Sequence, residues 1–123
     1  MEHDEQVALF EWAGYAKKVY PELEYMFAIP NGGKRNIGTA VKLKAEGVKS
    51  GVLDICLPVV SNEYAGLYIE MKYAYGKLSD NQKKYVKFLQ AEGYAVAVCY
   101  DWNNAADVIT RYMQNEFIDK VEV

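Results

Sequence analysis

Three side chains are out of place in the apolar segments that hold them. Asp54 lies inside Gly51-Val52-Leu53-Asp54-Ile55-Cys56-Leu57, and Glu70 and Lys72 lie inside Leu67-Tyr68-Ile69-Glu70-Met71-Lys72. An unpaired charge in such surroundings costs several kcal/mol, so something must stabilise each of them. If the two segments pair as a hairpin, all three groups meet at one sheet edge. Two carboxylates and a backbone carbonyl, here that of Met71, form a hard oxygen cage for Mg²⁺ or Mn²⁺ that leaves positions open for water and a phosphate oxygen. A cation there would polarise a phosphodiester and acidify a water, while the compact ammonium of Lys72 orients the attack and offsets the growing negative charge. The competing explanation is a cross-strand salt bridge on an exposed face. The apolar neighbours argue against it.

The elements that must position these groups follow from hydrophobic period. Residues 4–18 form a helix, with Glu5, Leu9, Trp12 and Ala16 on one stripe and Val7, Phe10 and Gly14 on the next. A short strand over 25–29 stops at the turn Pro30-Asn31-Gly32-Gly33. Asn36 can cap a second helix whose apolar side is Ile37, Ala40, Val41 and Leu43, and Gly47 ends it. Strands over 52–60 and 66–73 are joined by Ser61-Asn62-Glu63. Ser79 opens a third helix reaching Glu92, a continuous apolar strand covers 94–100, and Asn103 or Asn104 starts a last helix ending near Asn115. This order predicts an α/β fold: a mixed central sheet of about four strands with helices on both faces. Period-two alternation puts Glu70 and Lys72 on the same face.

The bulk properties set limits. The 123 residues, 51% hydrophobic and 25% charged, suit one globular domain over 1–123. The acidic start MEHDEQ and the lack of a long apolar run give no signal peptide or membrane span, so the expected compartment is the cytoplasm. Cys56 and Cys99 lie in apolar strands and are expected to be buried free thiols. His3, near the terminus, is assigned no role. The net charge of -3 conceals a polarised chain. Segment 34–49 holds Lys34, Arg35, Lys42, Lys44 and Lys49 against Glu46, and segment 72–87 holds Lys72, Lys77, Lys83, Lys84 and Lys87 against Asp80. The rest has four bases against fifteen acids. Two basic segments can guide a polyanion to one face, or can be solvated helix faces. Asn31, Lys34 and Arg35 in the glycine turn suit a phosphate grip, and Ser50-Gly51 either touches phosphate or lets the chain turn. Tyr73 and Tyr75 are placed to stack on unpaired bases. No glycine-rich nucleotide loop of either common pattern occurs, which removes a Rossmann or P-loop reading.

Taken together, Pro30-Asn31-Gly32-Gly33, the run from Leu43 to Ile55, Ile69-Glu70-Met71-Lys72, Gly76-Lys77-Leu78-Ser79 and Gln82 resemble the VRR-NUC domain, a branch of the PD-(D/E)XK nucleases. The resemblance covers nearly the whole chain. It implies a restriction-endonuclease-like core, Mg²⁺ or Mn²⁺ dependence and action on DNA; short stand-alone members, often from phages and bacteria, are similar to homodimeric resolvases of branched junctions. It carries the catalytic triplet onto Asp54, Glu70 and Lys72, an additional metal-binding acid onto Glu5, and a glutamine beside the lysine onto Gln82. Glu5 equally reads as a helix N-terminal acid favoured by the macrodipole. Ser79 and Gln82 also form a capping box, S-x-x-Q, and one amide is not expected to serve both roles equally. Leu53 stands where the family commonly has proline. A binding module that kept the fold and lost cleavage is the alternative reading.

Overall fold

The computed structural model describes residues 2–30 and 37–123; the glycine turn with Asn31, Lys34 and Arg35, and Asn36 as a helix cap, lie outside them. The first helix, α1 (Glu2–Ala16), buries Leu9 and Ala13 and packs Phe10, Trp12 and Ala16 against the core. Val7 and Gly14, from the second sequence stripe, face outward. A 3-10 turn over Pro21–Tyr25 replaces the start of the expected first strand, leaving β1 as Phe27–Ala28. α2 (Ile37–Ala45) ends at Gly47, whose φ of 97° is the left-handed conformation that glycine adopts at little cost. Its Ala40 and Val41, expected to be apolar-side residues, are exposed, and Leu43 is half-buried.

The central strands are shorter than their apolar runs: β2 is Ile55–Leu57 and β3 is Leu67–Met71. Pro58 supplies no N–H and stops β2. The hairpin is present, with Ile55 opposite Ile69 and Leu57 opposite Leu67 in an antiparallel ladder. β1 adds to β2 antiparallel, and β4 (Ala95–Cys99) adds to β3 in parallel, giving the order β1-β2-β3-β4. A parallel neighbour requires a crossover, which α3 (Asp80–Ala91) provides.

Leu67, Ile69 and Met71 alternate onto the face covered by α1 and α4 (Trp102–Met113). The opposite face holds α3, where Val86 and Leu89 pack on Leu53 and Val96. The sheet is therefore mixed and carries helices on both sides, as the sequence period implied. Two local differences have simple causes. α4 is capped by Asp101, whose carboxylate accepts the Asn104 N–H at 2.7 Å, so the asparagines lie inside the helix that they were expected to start. After α4 the chain runs back along β4, where the Asp119 carboxylate accepts the N–H groups of Val96 and Val121 at 2.9 Å each and so covers an otherwise open strand edge. Cys56 and Cys99 are free and buried. Among the described residues no helix is long and apolar enough to cross a membrane.

Candidate active site

β3 delivers Glu70 and Lys72 to the α3 side of the sheet, and the segment entering β2 brings Asp54 beside them. The backbone carbonyl of Asp54 accepts the Ile29 N–H at 2.7 Å, continuing the β1–β2 ladder. Its side-chain Oδ2 accepts the N–H of Met71 at 2.8 Å, a bond that fixes the carboxylate against the end of β3. The amide of Met71 is thus the group bonded to Asp54, and its carbonyl belongs to the same peptide stretch. Lys72 holds its own place through its N–H, which donates to the Cys99 carbonyl at 2.8 Å and extends the β3–β4 pairing by one residue.

Glu70 is 2% exposed. Its Oε2 accepts from Gln82 Nε2 at 2.6 Å and lies 3.4 Å from the Lys72 ammonium. Its Oε1 is buried with no hydrogen-bond partner among the described residues. Burial and then the neighbouring Asp54 charge push the Glu70 carboxyl up to about 7, against the opposing pull of Lys72 and Gln82. Buried Glu70 feels the negative charge of half-buried Asp54, and a cation between the two would relieve both the burial and the repulsion. The donor set therefore fits a divalent ion: two carboxylates supply hard oxygens, and the unpartnered Glu70 Oε1 is available to such an ion.

The Gln82 amide makes two contacts at once, the cap and the acid, although one amide was not expected to serve both roles equally. Its Oε1 accepts the Ser79 N–H at 2.9 Å and its own N–H donates to Ser79 Oγ at 3.2 Å, completing the capping box. Its Nε2 remains for Glu70. An amide has an acceptor end and a donor end, and the first turn of α3 is oriented so that each meets its partner. The helix start and the acid are locked together.

The neighbouring segment 49–51 is seated on the same helix end. Asn81 Nδ2 donates to Ser50 Oγ at 3.2 Å, and Gly51 approaches α3 so closely that a Cβ there would fall 2.7 Å from the Asn81 carbonyl carbon. Gly51 has a φ of 89°. Alanine at this position meets both a forbidden backbone region and a clash with helix backbone, so Gly51→Ala is expected to destabilise the fold by about 2–4 kcal/mol. A fall in the urea midpoint at unchanged m-value would register it. Turn geometry and the close approach to α3 therefore account for the glycine at position 51. Lys44, Lys49 and Lys77 are exposed.

Glu5 is not gathered with the pair. Its Oε1 accepts the N–H of Trp102 at 2.8 Å, capping the first turn of α4 and joining α1 to it. Among the described residues no group of three His, Cys, Asp or Glu side chains is placed to hold an ion. In this structure Glu5 acts as a helix-capping acid, satisfying an amide at the start of α4 that has no partner within its own helix. Sequence reasoning also missed Asn81 and Tyr100. Asn81 is found only through its contact with position 51, and Tyr100 through its hydroxyl, which donates to the Gly76 carbonyl at 3.3 Å on the loop after Lys72.

The VRR-NUC domain family model matches residues 8–102. A solved structure of a VRR_NUC domain protein superposes with a TM-score of 0.74 at 24% identity, covering 100% of this chain and 96% of that one, a likeness of fold. No curated protein matches the chain.

Proposed function

The chain belongs to the VRR-NUC family, nucleases of the PD-(D/E)XK type, and from that premise we propose that it is an endonuclease that uses Mg²⁺ or Mn²⁺ to hydrolyse phosphodiester bonds in branched or junction DNA. The observation that carries this reading is the unpartnered Oε1 of buried Glu70, beside Asp54 and Lys72. Asp54, Glu70 and the Met71 carbonyl would hold the cation, which when bound would draw charge from the phosphate and make a water more acidic. Lys72, kept near Glu70 Oε2 by its strand position, offers its remaining N–H donors to a non-bridging phosphoryl oxygen and to the attacking water. Negative charge grows on that oxygen as the new P–O bond forms and the old one breaks, so the ammonium favours the transition state more than the bound substrate. Gln82 positions Glu70 and leaves Oε1 open.

The lysines of segments 34–49 and 72–87 would carry the DNA backbone. Binding should then weaken steeply with salt, with a slope of log K against log salt of about −4 or steeper for five or more neutralised phosphates. A flat response in a fluorescence-anisotropy titration would remove these segments as the contact face. Pairing of two copies would give so small a protein the reach to grasp both arms of a junction, in keeping with the homodimeric stand-alone nucleases that it resembles. The test is a panel of labelled junction, flap, single-stranded and duplex DNA incubated with and without Mn²⁺. Cleavage only with the ion, and fastest on a branched substrate, supports the proposal; firm binding without cleavage would instead make the protein a binding module.

A further inference from the structure

The loop leaving β3 does more than end the strand. Ala74 has a φ of 54°, a conformation that residues with a Cβ seldom adopt, and the residue it turns outward, Tyr75, is 94% exposed. The loop is nevertheless held. The Gly76 N–H donates to the Tyr73 carbonyl at 3.0 Å, and the Gly76 carbonyl accepts the Tyr100 hydroxyl. A Cβ at Gly76 would lie 3.4 Å from Cδ of Lys72, so the loop folds back onto the catalytic lysine itself. An aromatic ring is thus presented in solvent, on an anchored tip, one residue from Gly76, whose open side faces the Lys72 side chain.

We infer that Tyr75 is a stacking platform for an unpaired base beside the scissile phosphate, which makes DNA with an unstacked nucleotide at the cleavage point the preferred substrate class. The inference rests on the nuclease reading above and sharpens it. The charge around the ring favours a polyanion: Lys72 precedes it by three residues and exposed Lys77 follows it by two. Three residues of chain span at most about 11 Å, so a base on Tyr75 belongs to the phosphate at Lys72 or to one of its near neighbours. A paired base hides both faces in the duplex stack, whereas an unpaired one offers a face to an aromatic side chain. Tyr73 and Tyr100, which follow the ends of β3 and β4, are exposed as well.

The test compares a duplex containing a single-base bulge with the same duplex fully paired, cut in Mn²⁺ by the wild-type protein, Tyr75→Ala and Tyr75→Phe. The wild type is expected to favour the bulge, Tyr75→Ala to lose that preference by about tenfold, and Tyr75→Phe to keep it, since stacking uses the ring face and not the hydroxyl. In parallel, 5-iododeoxyuridine at the bulge is irradiated in a complex kept uncut by Ca²⁺. A photo-crosslink to the peptide bearing Tyr75 supports the inference even if no variant cleaves, in which case the nuclease reading alone fails. An unchanged preference in Tyr75→Ala with cleavage intact, a crosslink mapping to another segment, or no crosslink at all would overturn it.

Discussion

Lys72→Ala should lower the single-turnover cleavage rate by about 10²–10³-fold. DNA affinity should stay within about threefold of the wild type, because one cation among many contributes little to ground-state binding while this one faces charge that appears only during reaction. Lys72 is suited to this by where it is held. Its backbone bond to Cys99 and its proximity to Glu70 at 3.4 Å fix the ammonium beside the acids. Lys72→Arg should not restore the rate, since a planar guanidinium cannot occupy the position of a compact ammonium. Thermal melts of both variants separate loss of chemistry from loss of fold. A cleavage rate equal to that of the wild type would remove Lys72 from the reaction.

The second large effect concerns stability and runs opposite to the usual behaviour of carboxylates. Glu70 holds its proton more tightly in the folded protein, up to about 7 against an ordinary 4.5. Below 4.5 the group is protonated in both folded and unfolded chains, and its burial then carries no charge penalty. As pH rises from 4.5 to about 7 the unfolded chain ionises first, so the metal-free protein loses stability over this window, by up to about 3 kcal/mol above it. Glu70→Gln keeps the shape and removes the titration. Its stability relative to the wild type should therefore be near equal at pH 4.5 and higher at pH 8 by roughly that amount. Mn²⁺ should restore the wild type at pH 8 and leave Glu70→Gln nearly unaffected, because only the carboxylate gains from the ion. Denaturant melts across pH with and without Mn²⁺ read all of these effects. A wild type that grows more stable from pH 5 to 8 relative to the glutamine variant would contradict the placement of Glu70.

Period and composition carried the fold a long way. Alternation in Leu67–Met71 was enough to separate the core face, Leu67, Ile69 and Met71, from the face bearing Glu70, and the turn at Ser61-Asn62-Glu63 was enough to make a hairpin. That Asp54, Glu70 and Lys72 come together was legible for a physical reason: charges in apolar strands need an explanation, and few explanations exist. What was hidden depends on distance in space. Glu5 caps a helix that begins ninety-seven residues later, a partner that no local spacing can reveal. Asp101 outcompetes two asparagines as a cap because its carboxylate reaches the Asn104 amide. Gln82 could be read as a capping residue or as a companion of the acid, but only the orientation of α3 shows that its two ends divide the work. Strand lengths were overestimated because an apolar run reports burial, whereas pairing also requires an N–H, which Pro58 lacks.

The central claim is that Asp54 and Glu70 together bind one divalent ion. Counting Mn²⁺ by electron paramagnetic resonance in the wild type, Asp54→Asn and Glu70→Gln at pH 8 tests it without reference to any substrate. One ion per chain in the wild type, with loss of binding in both variants, is the expected result. Equal Mn²⁺ binding in all three proteins would mean that these acids do not form the metal site.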